Sequence, residues 1–260
     1  MIVAMSVVAR REAADANVLA AFGLIPEVNG GERAGRTRFG SVEVIAAGTE
    51  AAFFNPVFAL DPACRADDVL AGVAWIETRG LPVSVQIGDL LDPAVGRAVE
   101  GHGLVVDPRP TPVLVLDPIP DRPAATRPAG LEIRIGGADL HEDFHATLAS
   151  GHVFRELFGE RLMADDRVIA AVGYEAGVPV SCAAAIRSGS TVGIYAVGTI
   201  ESARRRGYGR AVTWAAIDAG RSSWDGAVAI LQSSDLGLSV YESLGFETVG
   251  HYVEYARPKH

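Results

Sequence analysis

Residues 194–219 hold the feature that most restricts the fold. A strand-like run, Ile194 to Ile200 (IYAVGTI), passes without a break into Glu201-Ser202-Ala203-Arg204-Arg205-Arg206-Gly207-Tyr208-Gly209, and an alanine-rich helix follows to about Ala219. Two glycines beside three arginines at a strand-to-helix junction make an anion trap. Glycines permit a tight turn and let a ligand approach the backbone closely. The free amides of a helix start point outward, and the helix dipole favours negative charge there. Arginines add charge-assisted bonds to phosphate. The junction reads as a phosphate or other anion site, the alternative being a solvated glycine loop.

That patch is basic in a chain of 260 residues whose formal net charge is −9. An acidic balance argues against a nucleic-acid partner and weakly favours a cationic one. Cys64 and Cys182 have no metal-ligand spacing around them, so free, buried thiols are expected and no metal. The apolar start, Met1 to Met5, is interrupted by Arg10 and Arg11. That is too early for a signal peptide or membrane span, so a cytoplasmic protein with no membrane partner is expected.

The four prolines of 117–130 (DPIPDRPAATRPAG) mark a linker. It divides the chain into 1–116 and 131–260. In the first part, helices are expected over 8–22, 69–78 and 93–99, the last capped by Asp92 with Pro93 at its first position. Strands are expected over 39–46, 81–87 and 111–116. In the second part, strand 131–135 precedes a helix capped by Asp139, with Glu142 at capping-box spacing. A further helix is expected over 152–162, with Val153 buried. Strands 168–174, 179–187 and 191–200 form an antiparallel meander. Strand 227–232, a helix through Leu236, Val240 and Leu244, and a final strand 246–255 complete the pattern, with Gly245 ending the helix.

Arg204-x-x-Gly207-x-Gly209 resembles the pyrophosphate signature of the GCN5-related N-acetyltransferases, and Tyr241-Glu242-Ser243-Leu244-Gly245-Phe246 is similar to that family's second landmark. The resemblance covers roughly 131–257. It implies an acyl-CoA N-acyltransferase fold, a mixed and largely antiparallel central sheet flanked by helices. It implies acetyl-CoA as donor, held by Val197, Gly198 and Thr199 on the strand. Arg204, Arg205, Arg206, Gly207, Tyr208, Gly209 and Arg210 would hold it at the loop, with Ser234 and Tyr241 beyond. Ser234 stands where the family often has Asn. Phe54-Asn55-Pro56-Val57 and Arg79-Gly80-Leu81-Pro82-Val83-Ser84 resemble the first domain of two-domain actinobacterial members, in which a degenerate copy precedes the catalytic one.

The resemblance further implies direct attack of an amine on the thioester. The Val197 amide would serve as oxyanion donor and Tyr241 as the acid for the leaving thiolate. Glu175, His145 and a chain of waters are the alternatives for the base. Cys182 is expected to be structural rather than a nucleophile. A succinyl donor would need a further basic residue, for which Arg187 is the candidate. A non-catalytic acyl-CoA-binding regulator or scaffold is the rival from another class. The acceptor, a small-molecule or peptide amine, stays open, as does the oligomeric state, a homodimer included.

Overall fold

A computed structural model describes residues 5–121, 127–148, 151–234 and 237–258, with the backbone alone at 151–153. Expectations resting on the side chains of His152 and Val153, on Leu236 and on 122–126 fall outside these residues. In chain order the elements are α1 (Val7–Asn29), β1 (Gly35–Phe39), β2 (Val42–Ala46), β3 (Pro56–Ala59), α2 (Ala66–Glu77), β4 (Ser84–Gly88), α3 (Pro93–Gly101), β5 (Val105–Val106) and β6 (Thr111–Leu116). Then follow β7 (Leu131–Gly136), α4 (His141–Thr147), α5 (Gly151–Leu157), α6 (Glu160–Met163), β8 (Val168–Glu175), β9 (Val178–Ser188), β10 (Thr191–Thr199), α7 (Tyr208–Trp224), β11 (Val228–Gln232), α8 (Leu238–Glu242) and β12 (Glu247–Ala256).

The chain forms two compact units that do not follow the expected division into 1–116, a linker 117–130, and 131–260. One unit comprises 1–21 and 113–249, the other 22–112 and 250–260. The proline-rich stretch does not open as a spacer at its start. The Asp117 carboxylate accepts from Met5 N at 2.7 Å and Arg10 Nε at 3.0 Å, and the buried Ile119 donates its amide to Ala227 O at 2.9 Å.

In the larger unit the strands run β6-β11-β10-β9-β8-β7, antiparallel except for the parallel pair β10–β11. Helix α7 connects that pair. Its Val212, Ala216 and Ile217 pack on Ala171, Ala183, Ala185, Val192, Ile194, Ala229 and Leu231, where alanines on β8 and β9 let the helix lie close. In the smaller unit the order is β1-β2-β3-β4-β12, with β5 on β12, and β3–β4 is the parallel pair, joined by α2. Each unit is thus a mixed, largely antiparallel sheet with helices, and each contains one parallel strand–helix–strand crossover.

Local departures from expectation have local causes. Helix α1 runs past Gly23 and through Pro26 to Asn29. A proline inside a helix costs about 3 kcal/mol, which the burial of Leu24 and Ile25 offsets. The strand expected over 39–46 is a hairpin. Gly40, at φ +54°, turns β1 back on β2, and Phe39 pairs with Val42. Asp92 caps α3 as expected, accepting from Ala94 N at 2.8 Å. Asp139 does not cap α4. It accepts from Gly137 N at 2.8 Å within a 3₁₀ turn, and α4 starts at His141 without a side-chain cap. The helix expected over 152–162 is broken into α5 and α6 before Gly159.

Candidate functional site

The site begins where β10 leaves β11. The two strands pair only from Thr191↔Val228 to Ile194↔Leu231. Beyond that, β10 stays on β9 but slips register between Tyr195 and Gly198, around Ala196 at φ +50°. Cys182 Sγ donates to Ala196 O at 3.4 Å, Ser181 Oγ donates to Gly198 O at 2.7 Å, and Ile200 N donates to Val180 O at 3.0 Å. Those groups therefore face β9. By strand alternation the peptide groups of Val197 and Thr199 face the other way, into the gap that β11 has left. An extended ligand laid there meets a strand edge that β11 no longer covers, where the Thr199 carbonyl already accepts from Arg204 Nε at 3.3 Å. Such a crevice, at the carboxyl ends of two parallel strands, is where open α/β sheets bind ligands.

The loop to α7 closes one end of the gap. Arg205 at φ +59° and Gly207 at φ +80° turn the chain into the helix. No side chain caps α7, and its first backbone bond is Ala211 N to Gly207 O at 3.0 Å. The amides of the first turn are left for an anion. Gly209 lies against Thr199, whose hydroxyl a β-carbon at 209 would meet at 3.2 Å. The expected arginines divide by role. Arg204 Nε donates to Thr199 O at 3.3 Å. Arg205 is exposed and makes no side-chain hydrogen bond among the described residues. Arg206 is ion-paired with Glu175, and Arg210 Nη2 donates to Ser243 O at 3.4 Å. Tyr208 is buried, its hydroxyl donating to Glu175 Oε1 at 2.7 Å, so it offers an incoming ligand its amide and not its phenol.

At the end of β11, Ser233 Oγ donates to Ser234 O at 2.7 Å, and Ser234 itself is exposed. Helix α8 then carries Tyr241, half-buried against the core, with its ring edge-on to Phe246 at 6.1 Å. Burial pushes its phenol up to about 12. The hydroxyl has no hydrogen-bond partner among the described residues.

Neither residue expected as a base has the geometry of one. The Glu175 carboxylate is taken by Arg206 and Tyr208, which in that order hold it below the usual carboxylate range. It ties the end of β8 to the loop. His145 is buried, with Nε2 2.9 Å from Phe158 O, and burial lowers its basicity further. It fastens α4 at the break between α5 and α6. Cys182 is buried and its thiol is pushed up to about 12 by desolvation, as suits a structural residue. Arg187 pairs with Val192, at the end of β9 away from the register slip, and its Nε donates to Gly189 O at 3.5 Å. Among the described residues no group of three or more His, Cys, Asp or Glu is placed to hold a metal ion, and no helix is long and apolar enough to cross a membrane.

The sequence model described as Acetyltransferase (GNAT) family matches residues 138–246, which span β10, the loop, α7, β11 and α8. A GCN5-related N-acetyltransferase from Kribbella flavida superposes over 96% of both chains, with a TM-score of 0.74 at 21% identity. The chain has the GNAT fold. A tandem GNAT protein from the clavulanic acid biosynthesis pathway superposes over 99% of both chains, at a TM-score of 0.59 and 12% identity. A GCN5-related N-acetyltransferase from Sphaerobacter thermophilus gives a TM-score of 0.59 at 20% identity, covering 99% of this chain and 96% of that one. A search of curated proteins finds no match. The GNAT fold implies an acyl-CoA site, and the open edge of β10 and the uncapped start of α7 are features that fit one.

The smaller unit repeats the crossover without the site. There β3 pairs with β4 along its whole length, from Pro56↔Ser84 to Ala59↔Ile87, and its residues are all buried. The turn before α2 holds Asp61, and the helix opens with Asp67 and Asp68, which repel an anion.

Proposed function

We propose that the protein is an N-acetyltransferase that moves an acetyl group from acetyl-CoA to an amine by direct attack in a ternary complex. The observation that carries this reading is the parting of β10 from β11, which turns the Val197 and Thr199 peptide groups into a gap ending at the uncapped helix α7. The pantetheine arm would lie along Val197, Gly198 and Thr199. The pyrophosphate would sit on the amides of Gly207, Tyr208, Gly209 and Arg210, with Arg204 and Arg205 adding charge. When bound, the coenzyme supplies an acetyl thioester. The Val197 N–H then donates to the carbonyl oxygen as it gains charge, and Tyr241 protonates the leaving sulfur. With Glu175 and His145 engaged elsewhere, water carries the proton away from the amine. The acceptor is a small-molecule or peptide amine rather than nucleic acid, and the setting is cytoplasmic. The smaller unit is a degenerate second copy, a reading supported by its matching parallel crossover.

Titration calorimetry with acetyl-CoA tests the donor. Micromolar binding is expected. An Arg204→Ala, Arg205→Ala double variant should weaken it by about tenfold or more, since each arginine removed takes away a charge-assisted contact. Arg206→Ala should weaken it less, because Arg206 is already committed to Glu175. Absence of binding by the folded wild type would end the assignment.

A further inference from the structure

A buried polar network on α1 reaches the point where β10 changes register. Asn17 is fully buried. Its Oδ1 accepts from Tyr195 Oη at 2.6 Å, and its Nδ2 donates to Thr191 Oγ1 at 2.9 Å and to Ile186 O at 3.5 Å. The Tyr195 ring leans back along its own strand, over Gly193. A β-carbon at 193 would lie 2.0 Å from Asn17 Oδ1 and 2.6 Å from the Tyr195 ring, so only glycine admits this packing. Tyr195 is the last residue of β10 before the strand slips, and the next residue, Ala196, holds the left-handed backbone. A non-glycine residue in that region is strained and persists only where its surroundings fix it. Here they do so from two sides. Cys182 and Ser181 bind the carbonyls of Ala196 and Gly198 from β9, and Asn17 anchors the side chain just ahead of them. Burial pushes the Tyr195 phenol far up, so it stays protonated and keeps donating.

The geometry points to Asn17 and Tyr195 as positioning residues that fix the bulge at Ala196 and so aim the Val197 amide at the acyl carbonyl. This rests on the reading of the gap as the acyl-CoA site. It separates two parts of that site. The loop and α7 take the phosphates, which CoA and acetyl-CoA share. The Val197 amide meets the acetyl carbonyl, which CoA lacks. Loosening the Asn17–Tyr195 bond should therefore cost affinity for acetyl-CoA and leave CoA untouched.

The test is calorimetry with acetyl-CoA and with CoA on wild type, Tyr195→Phe, Asn17→Ala and the double variant, with folding checked by circular dichroism. Tyr195→Phe keeps the ring over Gly193 and removes only the bond. Asn17→Ala reaches the same bond from the other side, so failure of one variant to fold leaves the other to decide. Wild type is expected to prefer acetyl-CoA by about tenfold, the worth of one good hydrogen bond. Each single variant should lose most of that preference at unchanged CoA affinity, and the double variant should lose no more than either, as members of one interaction do. A preference that survives in the folded variants overturns the inference, as does a wild type that binds both ligands equally. So does a loss of affinity for both ligands alike, which would mark a merely structural role. A folded wild type that binds neither takes down the acyl-CoA reading itself, a different result from the other three.

Discussion

A chain cut to residues 131–260 is expected to be insoluble, or soluble without a cooperative fold. The resemblance to a catalytic domain spans this segment, so its independence is the natural assumption, and the strand order contradicts it. The cut removes β6, which lies antiparallel on β11 from Leu116↔Ala229 to Val113↔Gln232. It removes the part of α1 that belongs to the same unit, up to Ala21. Val18, Val113, Leu114, Val115 and Leu116 are all buried. At about 1.5–3 kcal/mol for each such side chain, their loss amounts to about 10 kcal/mol. That equals the whole net stability of an ordinary domain, about 5–15 kcal/mol. The cut also strands the C-terminal half of β12, whose Tyr252 to Ala256 pair with β4 in the smaller unit. Two unpaired strand edges, on β11 and β12, invite aggregation. Amide proton dispersion and a thermal melt decide the matter. A folded, cooperatively melting 131–260 would show that neither β6 nor α1 is needed.

What is legible in the chain, and what is not, follows the range of the interactions. The junction at 194–219 is readable because strand, glycine turn, arginines and helix are contiguous, and each signal is local. The same holds for Asp92 and Pro93 at the start of α3. Strand β1 is not readable, because Gly-Arg-Thr-Arg-Phe has the composition of a loop. It forms as half of a hairpin, with Arg36 Nε 3.1 Å from Glu43 on the strand beside it. The exchange of β6 and β12 between units leaves no local trace, since alternation marks a strand and not its neighbour. Glu175 looks like a free carboxylate at a strand end until Arg206 is brought against it from 31 residues away. Asn17 looks like one polar residue on an alanine-rich helix. Its meaning lies with Tyr195, 178 residues along the chain.

Tyr241→Phe is expected to lower kcat by about 10²–10⁴, the range for losing a positioned general acid. The measurement uses any amine that turns over, with free thiol as readout. The fold should not register the change. The Tyr241 ring packs edge-on to Phe246 and against the core, and phenylalanine keeps that contact. The hydroxyl makes no hydrogen bond among the described residues, so its removal leaves no partner unpaired. Under the proposed function, binding of acetyl-CoA should also hold, because the phosphates and the pantetheine arm are assigned to the loop and β10. The variant should thus fail in turnover with an unchanged melting temperature and an unchanged donor affinity. The pH profile adds a second constraint. A general acid works only while protonated, and burial raises this phenol to about 12. Its protonated form is lost only as pH climbs toward that value, so kcat should not fall between about pH 8 and 10 on its account. A wild-type kcat that declines across that window with a phenol-like midpoint, and a Phe variant that lacks the decline, would mean that the hydroxyl titrates near its ordinary value. An undiminished kcat in the variant would take the acid role from Tyr241 and leave protonation of the sulfur to water in the open gap.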